Sequence, residues 1–214
     1  EEHDAQIFSP INHVNLTFEE LIAAMEDIVE ERDVEMIPIL EDFKDYCMQE
    51  KLIPDGYKWM RALTAGKIFK DNMELNLYYD EAAHNYSAHG YIGLYKEKSI
   101  RAIGKLTKTV LAEEINGEMQ FESESGGTVT DAEKSAILEA VRRAEEYGYN
   151  LRTVRHRYFF VEQFYPTDFK KSSKNPIQKS KLFNLAEMLG YKTMPDTKKI
   201  ASDLDGRTWE YFFQ

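Results

Sequence analysis

The sequence predicts an α+β protein, with an N-terminal helical hairpin followed by a curled, mainly antiparallel sheet, small and barrel-like, and flanking helices. Three observations lead there. Residues 17–50 repeat apolar side chains at helical spacing. Residues 73–121 alternate apolar and polar side chains, the pattern of half-buried strands. The strands follow one another instead of alternating with helices, which favours α+β over α/β. The expected division is an extended lead-in over 1–16, an acidic helical hairpin over 17–66, and a mixed β-rich domain with helices over 67–214. The lead-in has no periodicity and reads either as a linker from a preceding domain or as a loose terminus.

Thr17-Phe18-Glu19-Glu20 is a capping box that opens the first helix of the hairpin. Phe18, Leu21, Ile22, Met25, Ile28 and Val29 form its apolar stripe. The second helix begins at Asp33, carries Met36, Ile37, Leu40, Phe43 and Cys47 on one side, and has Pro38 in its first turn, where a missing N–H is tolerated. Pro54-Asp55-Gly56 is a turn signal, and residues 59–63 read as a short helix ending near Gly66.

The sheet opens with Met73, Leu75, Leu77 and Tyr79 alternating with Glu74, Asn76, Tyr78 and Asp80. Residues 91–95 and 100–106 give two further strands around a polar turn at 96–99. Gly93 and Gly104 sit inside those patterns, where glycine marks a bulge or a close backbone approach. Asn116-Gly117 between two alternating runs predicts a type I′ hairpin, because both turn positions require positive φ. After the polar loop holding Gly126 and Gly127, Thr130 and Glu133 form a second capping box. The helix that follows buries Ile137, Ala140, Val141 and Ala144 and is capped by Gly148. Residues 155–164 read as an aromatic strand, 165–178 as a loop, and 181–189 and 197–204 as short helices. Residues 208–213 are too apolar for a loose tail and read as a closing strand or helix.

Net charge is −11, and all of it belongs to residues 1–66, which hold 16 acidic and 5 basic residues. Within the neutral remainder, residues 151–183 hold eight bases against Glu162 and Asp168. A basic stripe of that kind can meet phosphate despite the acidic total. A single cysteine, Cys47, excludes a disulfide framework and any multi-cysteine zinc site. No run approaches the length of a membrane span, and no signal peptide is visible, so no membrane partner is expected and the cytoplasm is the expected compartment. No Gly-rich phosphate loop occurs and no cofactor is expected.

Three groups of residues suggest chemistry. Arg155, Arg157, Lys170 and Lys171 are interleaved with aromatic residues, a composition suited to stacking bases and holding phosphates; it also suits a strand with one core face and one solvated face. Tyr78, Tyr79, His84 and Tyr86, with Asp80, Glu81 and His89, crowd one loop that suits a plain surface loop, a binding mouth or a weak metal site. Glu162 with Asp168 and Lys170 resembles a metal-dependent nuclease pattern at an unusually short spacing. The leading expectation is a nucleotide or nucleic-acid binding module, including modified bases, within a larger DNA- or RNA-processing or defence protein. Tyr78, Tyr79, His84 and Tyr86 would line its mouth, and Arg155, Arg157, Lys170 and Lys171 would meet phosphate. Two alternatives stand beside it: a regulatory domain docking a basic protein through residues 17–50, and a metal-dependent nuclease. Whether the protein is an enzyme stays open.

Tyr91-Ile92-Gly93-Leu94-Tyr95, then Ile100-Arg101-Ala102-Ile103-Gly104-Lys105-Leu106, resembles a run in the PUA-like superfamily, which includes ASCH and EVE domains. His156-Arg157-Tyr158-Phe159-Phe160 resembles the second half of the same small barrels. The resemblance spans about residues 66–170 and implies binding of RNA, modified DNA bases or nucleotides in the barrel mouth. The ASCH signature Gly-x-Lys-x-x-Glu-x-Arg is absent, and no catalytic residue carries over.

Overall fold

The computed structural model describes residues 35–50, 55–84, 88–174, 176–177 and 180–212, with the single positions Phe18, Leu21, Met25, Ile28, Asp33 and Leu52. Its helices are α1 (Met36–Gln49), α2 (Phe69–Leu75), α3 (Asp131–Glu146), α4 (Leu185–Leu189) and α5 (Thr197–Leu204). Its strands are β1 (Trp59–Thr64), β2 (Leu77–Glu81), β3 (Tyr91–Lys96), β4 (Ser99–Ile115), β5 (Glu118–Ser125), β6 (His156–Lys170) and β7 (Ser180–Asn184). The chain forms two units, Glu1–Ile53 and Pro54–Gln214.

In the first unit, α1 is the expected second helix, and it buries Leu40 and Cys47. Burial pushes the Cys47 thiol up from its ordinary range. Phe18, Leu21, Met25 and Ile28 are helical, in line with the first expected helix, but Phe18, Leu21 and Ile28 of its stripe are exposed. The lead-in over 1–16 and the first capping box apart from Phe18 lie outside the described residues.

The second unit is built on a seven-stranded mixed sheet ordered β2-β6-β4-β3-β1-β7, with β5 also paired to β4. β1 and β3 are parallel, and the other pairs are antiparallel. The sheet is not closed, so the barrel-like expectation is corrected to an open sheet ending at β2 and β7. The long β4 carries the assembly. It pairs with β6 along most of its length, from Ser99↔Lys170 to Ala112↔His156. On its other side β3 takes the first half and β5 the second.

Bulges interrupt the β4–β6 ladder between Ile100 and Ala102, Gly104 and Leu106, and Leu106 and Lys108. Gly104 fits that irregularity, since a Cβ there would lie 2.8 Å from Val161 Cγ2 and 3.0 Å from the Gln163 carbonyl oxygen. Gly93 is similarly crowded by Met60 and Ile100. Both glycines therefore mark close approach, as their placement in strand patterns predicts.

Both faces of the sheet are covered. Met60, Tyr91, Ile103, Phe169 and Phe183 pack with Leu185, Ile200, Leu204 and Trp209. Along β6, Tyr158 and Phe160 pack with Ile137, Val141 and Ala144 of α3, while Phe159 and Val161 join Ile92, Leu94 and Tyr78 in a separate cluster. Alternation of side chains along a strand places these two sets on opposite faces. The Thr130–Glu133 capping box of α3 is present, and Gly148 follows the helix at φ +82°. Glu133 also receives Lys108 Nζ at 2.8 Å, while the same ammonium donates to the Thr128 carbonyl at 2.7 Å. Lys108 is buried, so its charge is retained only with such partners. These bonds tie the start of α3 to the centre of β4.

Several boundaries depart from the sequence pattern. Residues 59–63 belong to β1, not to a helix, because that segment lies between β3 and β7 and completes both ladders. Met73 and Leu75 end α2, and β2 begins only at Leu77. Asn76 turns left-handed at φ 50° between them. Its carbonyl accepts from Val161 N at 3.0 Å and its Oδ1 from Phe164 N at 3.2 Å, so it binds the irregular part of β6. β6 runs on through Pro166 to Lys170, where a loop was expected, and residues 180–184 form β7 ahead of the short α4. The expected closing segment forms a short 3-10 turn at Trp209–Tyr211, whose indole N–H donates to the Phe169 carbonyl at 3.0 Å.

The β4–β5 hairpin turns at Asn116 (φ 55°) and Gly117 (φ 84°), as predicted. The β3–β4 turn uses the same backbone with Glu97 (φ 52°) and Lys98 (φ 58°). A side chain in that region costs about 1–2 kcal/mol, more than the entropy that glycine loses on folding. Lys98→Gly should therefore raise stability by about 0.5–1 kcal/mol. Urea denaturation measures this, and a lower midpoint would contradict it.

Candidate functional site

At the β2 edge of the sheet a cleft of about 330 Å³ is lined by Thr64 to Ile68, Tyr78 to Glu81, His84, Tyr149, Leu151 and His156. Four separate segments meet there: the end of β1 with the turn into α2, the strand β2 with the turn after it, the loop following α3, and the first residue of β6. The pairing of β2 with β6 sets their relative positions, with Tyr79 opposite Tyr158, Asp80 opposite Arg157 and Glu81 opposite His156.

The walls are aromatic. Tyr78 is buried, and its hydroxyl donates to the Thr64 carbonyl at 3.1 Å, joining β2 to the end of β1. Tyr79 lies beside it with ring centroids 6.3 Å apart, and 6.1 Å from Tyr158 on the other side. Burial first, then the negative charge of Asp80, pushes the Tyr78 hydroxyl above its usual range; burial likewise raises Tyr79. Both phenols stay protonated near neutral pH. Tyr149 is 48% exposed at the cleft and leaves an open ring.

The polar groups are oriented by one another. His84 Nδ1 is 2.8 Å from Asp80 Oδ1, which also accepts from the Glu81 backbone N–H at 3.0 Å. Asp80 Oδ2 lies 3.7 Å from the guanidinium of the buried Arg61. The His84 backbone N–H closes a turn onto the Glu81 carbonyl at 3.0 Å. His156 Nδ1 donates to the Val154 carbonyl at 2.8 Å. Lys67 adds the cation of this rim.

The residues expected to share one hollow divide into three groups. Tyr78, Tyr79 and His84 line the cleft. Arg155 and Arg157 stand beside it, facing carboxylates from β5. Arg157 binds Glu124 through Nε at 2.7 Å and Nη2 at 2.9 Å, and its Nη1 donates to the Ala82 carbonyl at 3.1 Å. Its role is to fasten the 82–84 turn to the sheet. Arg155 pairs with Glu122, and its carbonyl accepts from Ala82 N at 2.9 Å. Lys170 and Lys171 lie at and just past the opposite end of β6, outside the cleft lining. There Lys170 pairs with Asp168 at 2.9 Å, and the Lys171 backbone N–H donates to the Lys98 carbonyl at 2.8 Å. Tyr86 lies outside the described residues.

The other sequence candidates disperse. His89 is buried with its ring 5.7 Å from Phe159. The Glu162 carboxylate accepts from the Thr197 hydroxyl. Asp168 accepts from Ser99 Oγ at 2.7 Å and Arg101 Nη1 at 2.8 Å. Among the described residues no group of three or more His, Cys, Asp and Glu is placed to hold a metal ion. Among them, too, no helix is long and apolar enough to cross a membrane.

Sequence reasoning missed Thr64 to Ile68, Tyr149, Leu151 and His156 as site residues. Gly66, at φ +43° with open space around it, was the one local signal for the first segment. Nothing local marks Tyr149, and His156, which stands in the basic and aromatic run, reaches the cleft only through the fold. The fold and site together define an α+β protein with an aromatic, histidine-bearing cleft at a sheet edge. Comparison with known proteins gives no matching family model, no similar curated protein and no similar solved structure.

Asp168 offers a test of the far end of β6. Burial pushes its carboxyl up, but hydrogen bonds from Lys170 and Ser99 and the charge of Arg101 outweigh that, and it titrates below the usual range. A lowered folded-state pKa stabilises above the unfolded value of about 3.9 and is lost as pH falls through the folded one. Asp168→Asn should lower the melting temperature at pH 7, and the two proteins should converge as the pH drops below about 4. Parallel curves from pH 7 to pH 2 would contradict this.

Proposed function

We propose that this protein binds a nucleotide, free or as one unit of a nucleic acid, in the cleft at the β2 edge. The observation that carries the reading is the gathering of Tyr78, Tyr79 and Tyr149 with His84 and His156 around a single opening of about 330 Å³. That volume is at the small end of ligand pockets and suits a base with its sugar. Aromatic walls with a few oriented polar groups are the usual composition of such sites. The open ring of Tyr149 offers a stacking surface, and the Glu81 carboxylate offers an acceptor to base amino groups. Lys67 on the rim supplies a cation for phosphate. A PUA-like resemblance implies the same ligand class, although the open sheet departs from a barrel.

Stacking contributes about 1–3 kcal/mol per base, so Tyr149→Ala should weaken nucleotide binding by roughly 5- to 150-fold. Lys170→Ala, at the far end of β6, should leave it unchanged. Isothermal titration calorimetry with AMP, GMP, CMP and UMP checks both. No binding of any of the four at millimolar concentration, or equal binding by Tyr149→Ala, would remove this reading.

A further inference from the structure

Two imidazoles line the cleft, and each is anchored through the same ring nitrogen. His84 Nδ1 meets Asp80 Oδ1 at 2.8 Å, and His156 Nδ1 donates to the Val154 carbonyl at 2.8 Å. An imidazole whose Nδ1–H is donated keeps its lone pair on Nε2. The surroundings of the two rings differ. His84 is solvent-accessible, with its side chain 60% exposed, while His156 is buried. Asp80 is itself fixed, since it accepts from the Glu81 N–H and faces Arg61 at 3.7 Å. A carboxylate held from behind, an imidazole held by that carboxylate, and a cleft in front of the ring form the arrangement that orients a general base.

We propose that the cleft is catalytic, with His84 as the general base, Asp80 as its positioning residue, and a nucleoside phosphoester as substrate. The substrate class rests on the nucleotide reading above. His84 Nε2 takes a proton from water, and the water oxygen forms a new bond to phosphorus. The ester P–O bond breaks, its electron pair goes to the departing sugar oxygen, and His84 returns the proton to that oxygen. On a 2′,3′-cyclic nucleotide the step consumes one water and yields a nucleoside monophosphate, with no oxidant or reductant. His156, with its N–H committed to Val154, offers Nε2 as an acceptor that orients a ligand hydroxyl or amino group. Among the described residues no group of three or more His, Cys, Asp and Glu is placed to hold a metal ion, and the two imidazoles suit proton transfer better than a shared cation. Arg157 Nη1 lies 3.4 Å from the His84 carbonyl, and Glu81 and Lys67 line the same cleft.

The experiment measures hydrolysis of 2′,3′-cyclic CMP and 2′,3′-cyclic AMP by the purified chain, with calorimetric binding of AMP and CMP alongside. Wild type should turn over at least one of the cyclic substrates. His84→Gln should lose 100-fold or more in kcat, on the usual scale for a general base, a loss much larger than any it causes in AMP or CMP affinity. Asp80→Asn should lower kcat with KM little changed, and Asp80→Glu should restore part of the loss, a split that a merely structural role would not give. Because Asp80 also faces the buried Arg61, His84→Gln is the deciding variant if Asp80→Asn does not fold. Nucleotide binding without hydrolysis, or full activity in His84→Gln, would overturn the catalytic proposal and leave the binding reading standing. Neither binding nor hydrolysis would overturn both.

Discussion

The second unit depends on the hydrogen-bond ladder between β4 and β6. Each strand is long, and each pairs on both sides, so a break in that ladder would split β2 and β6 from the rest of the sheet. The ladder is also irregular. Three bulges let it bend, and the strand segments on either side of them pack into different clusters. One end of the pair thus supports α3, and the other supports α4, α5 and Trp209. Buried charge reinforces the first of these contacts. Lys108 leaves the ladder to bind both the Thr128 carbonyl and the cap of α3. Removing the Glu133 carboxylate would leave the mostly buried Lys108 ammonium with less compensation, which is costlier than losing an exposed pair.

The cleft is a consequence of that frame. β2 is a short edge strand held by β6 on one side only, so its far side is free to form a wall. The turn after β2 is fastened by the Arg157 guanidinium, which binds the Ala82 carbonyl and two oxygens of Glu124, and by the Ala82 N–H on the Arg155 carbonyl. A planar fork of that kind fixes direction as well as charge. His84 and Asp80 inherit their position from it. The basic stripe of the sequence is therefore spent in part on internal order: Arg155 and Arg157 meet carboxylates of β5 beside the cleft, and Lys170 meets Asp168 at the other end of β6.

The features legible in the sequence were those whose energy is local. Asn116-Gly117 takes positive φ whatever surrounds it, and the turn is there. Thr130 and Glu133 bond one another's backbone within four residues, and the cap is there. Gly93 and Gly104 announced close approach, and crowded neighbours lie beside each. The misread segments drew their conformation from partners far along the chain. Residues 59–63 carry apolar side chains that satisfy a helix or a strand equally, and only β3 and β7 on either side make them a strand. The alternation through 73–80 was broken at Asn76, which serves β6 more than 80 residues away. Pro166 suggested the end of a strand, yet β6 passes through it to Lys170.

The sequence by itself determined the α+β class, the hairpin turn, the capped helix α3 and the tyrosine-rich character of β2, since each rests on spacing or on contacts within a few residues. Tertiary structure alone decided that the sheet stays open, that α2 precedes β2, and that Tyr149 and His156 share a cleft with Tyr79 and His84. It also decided that Lys170 and Lys171 stand at the other end of β6 from Arg157, outside that cleft. Strand pairing is the physical reason. A register between β2 and β6, separated by some 75 residues of chain, fixes which side chains meet, and no short window of sequence contains both partners.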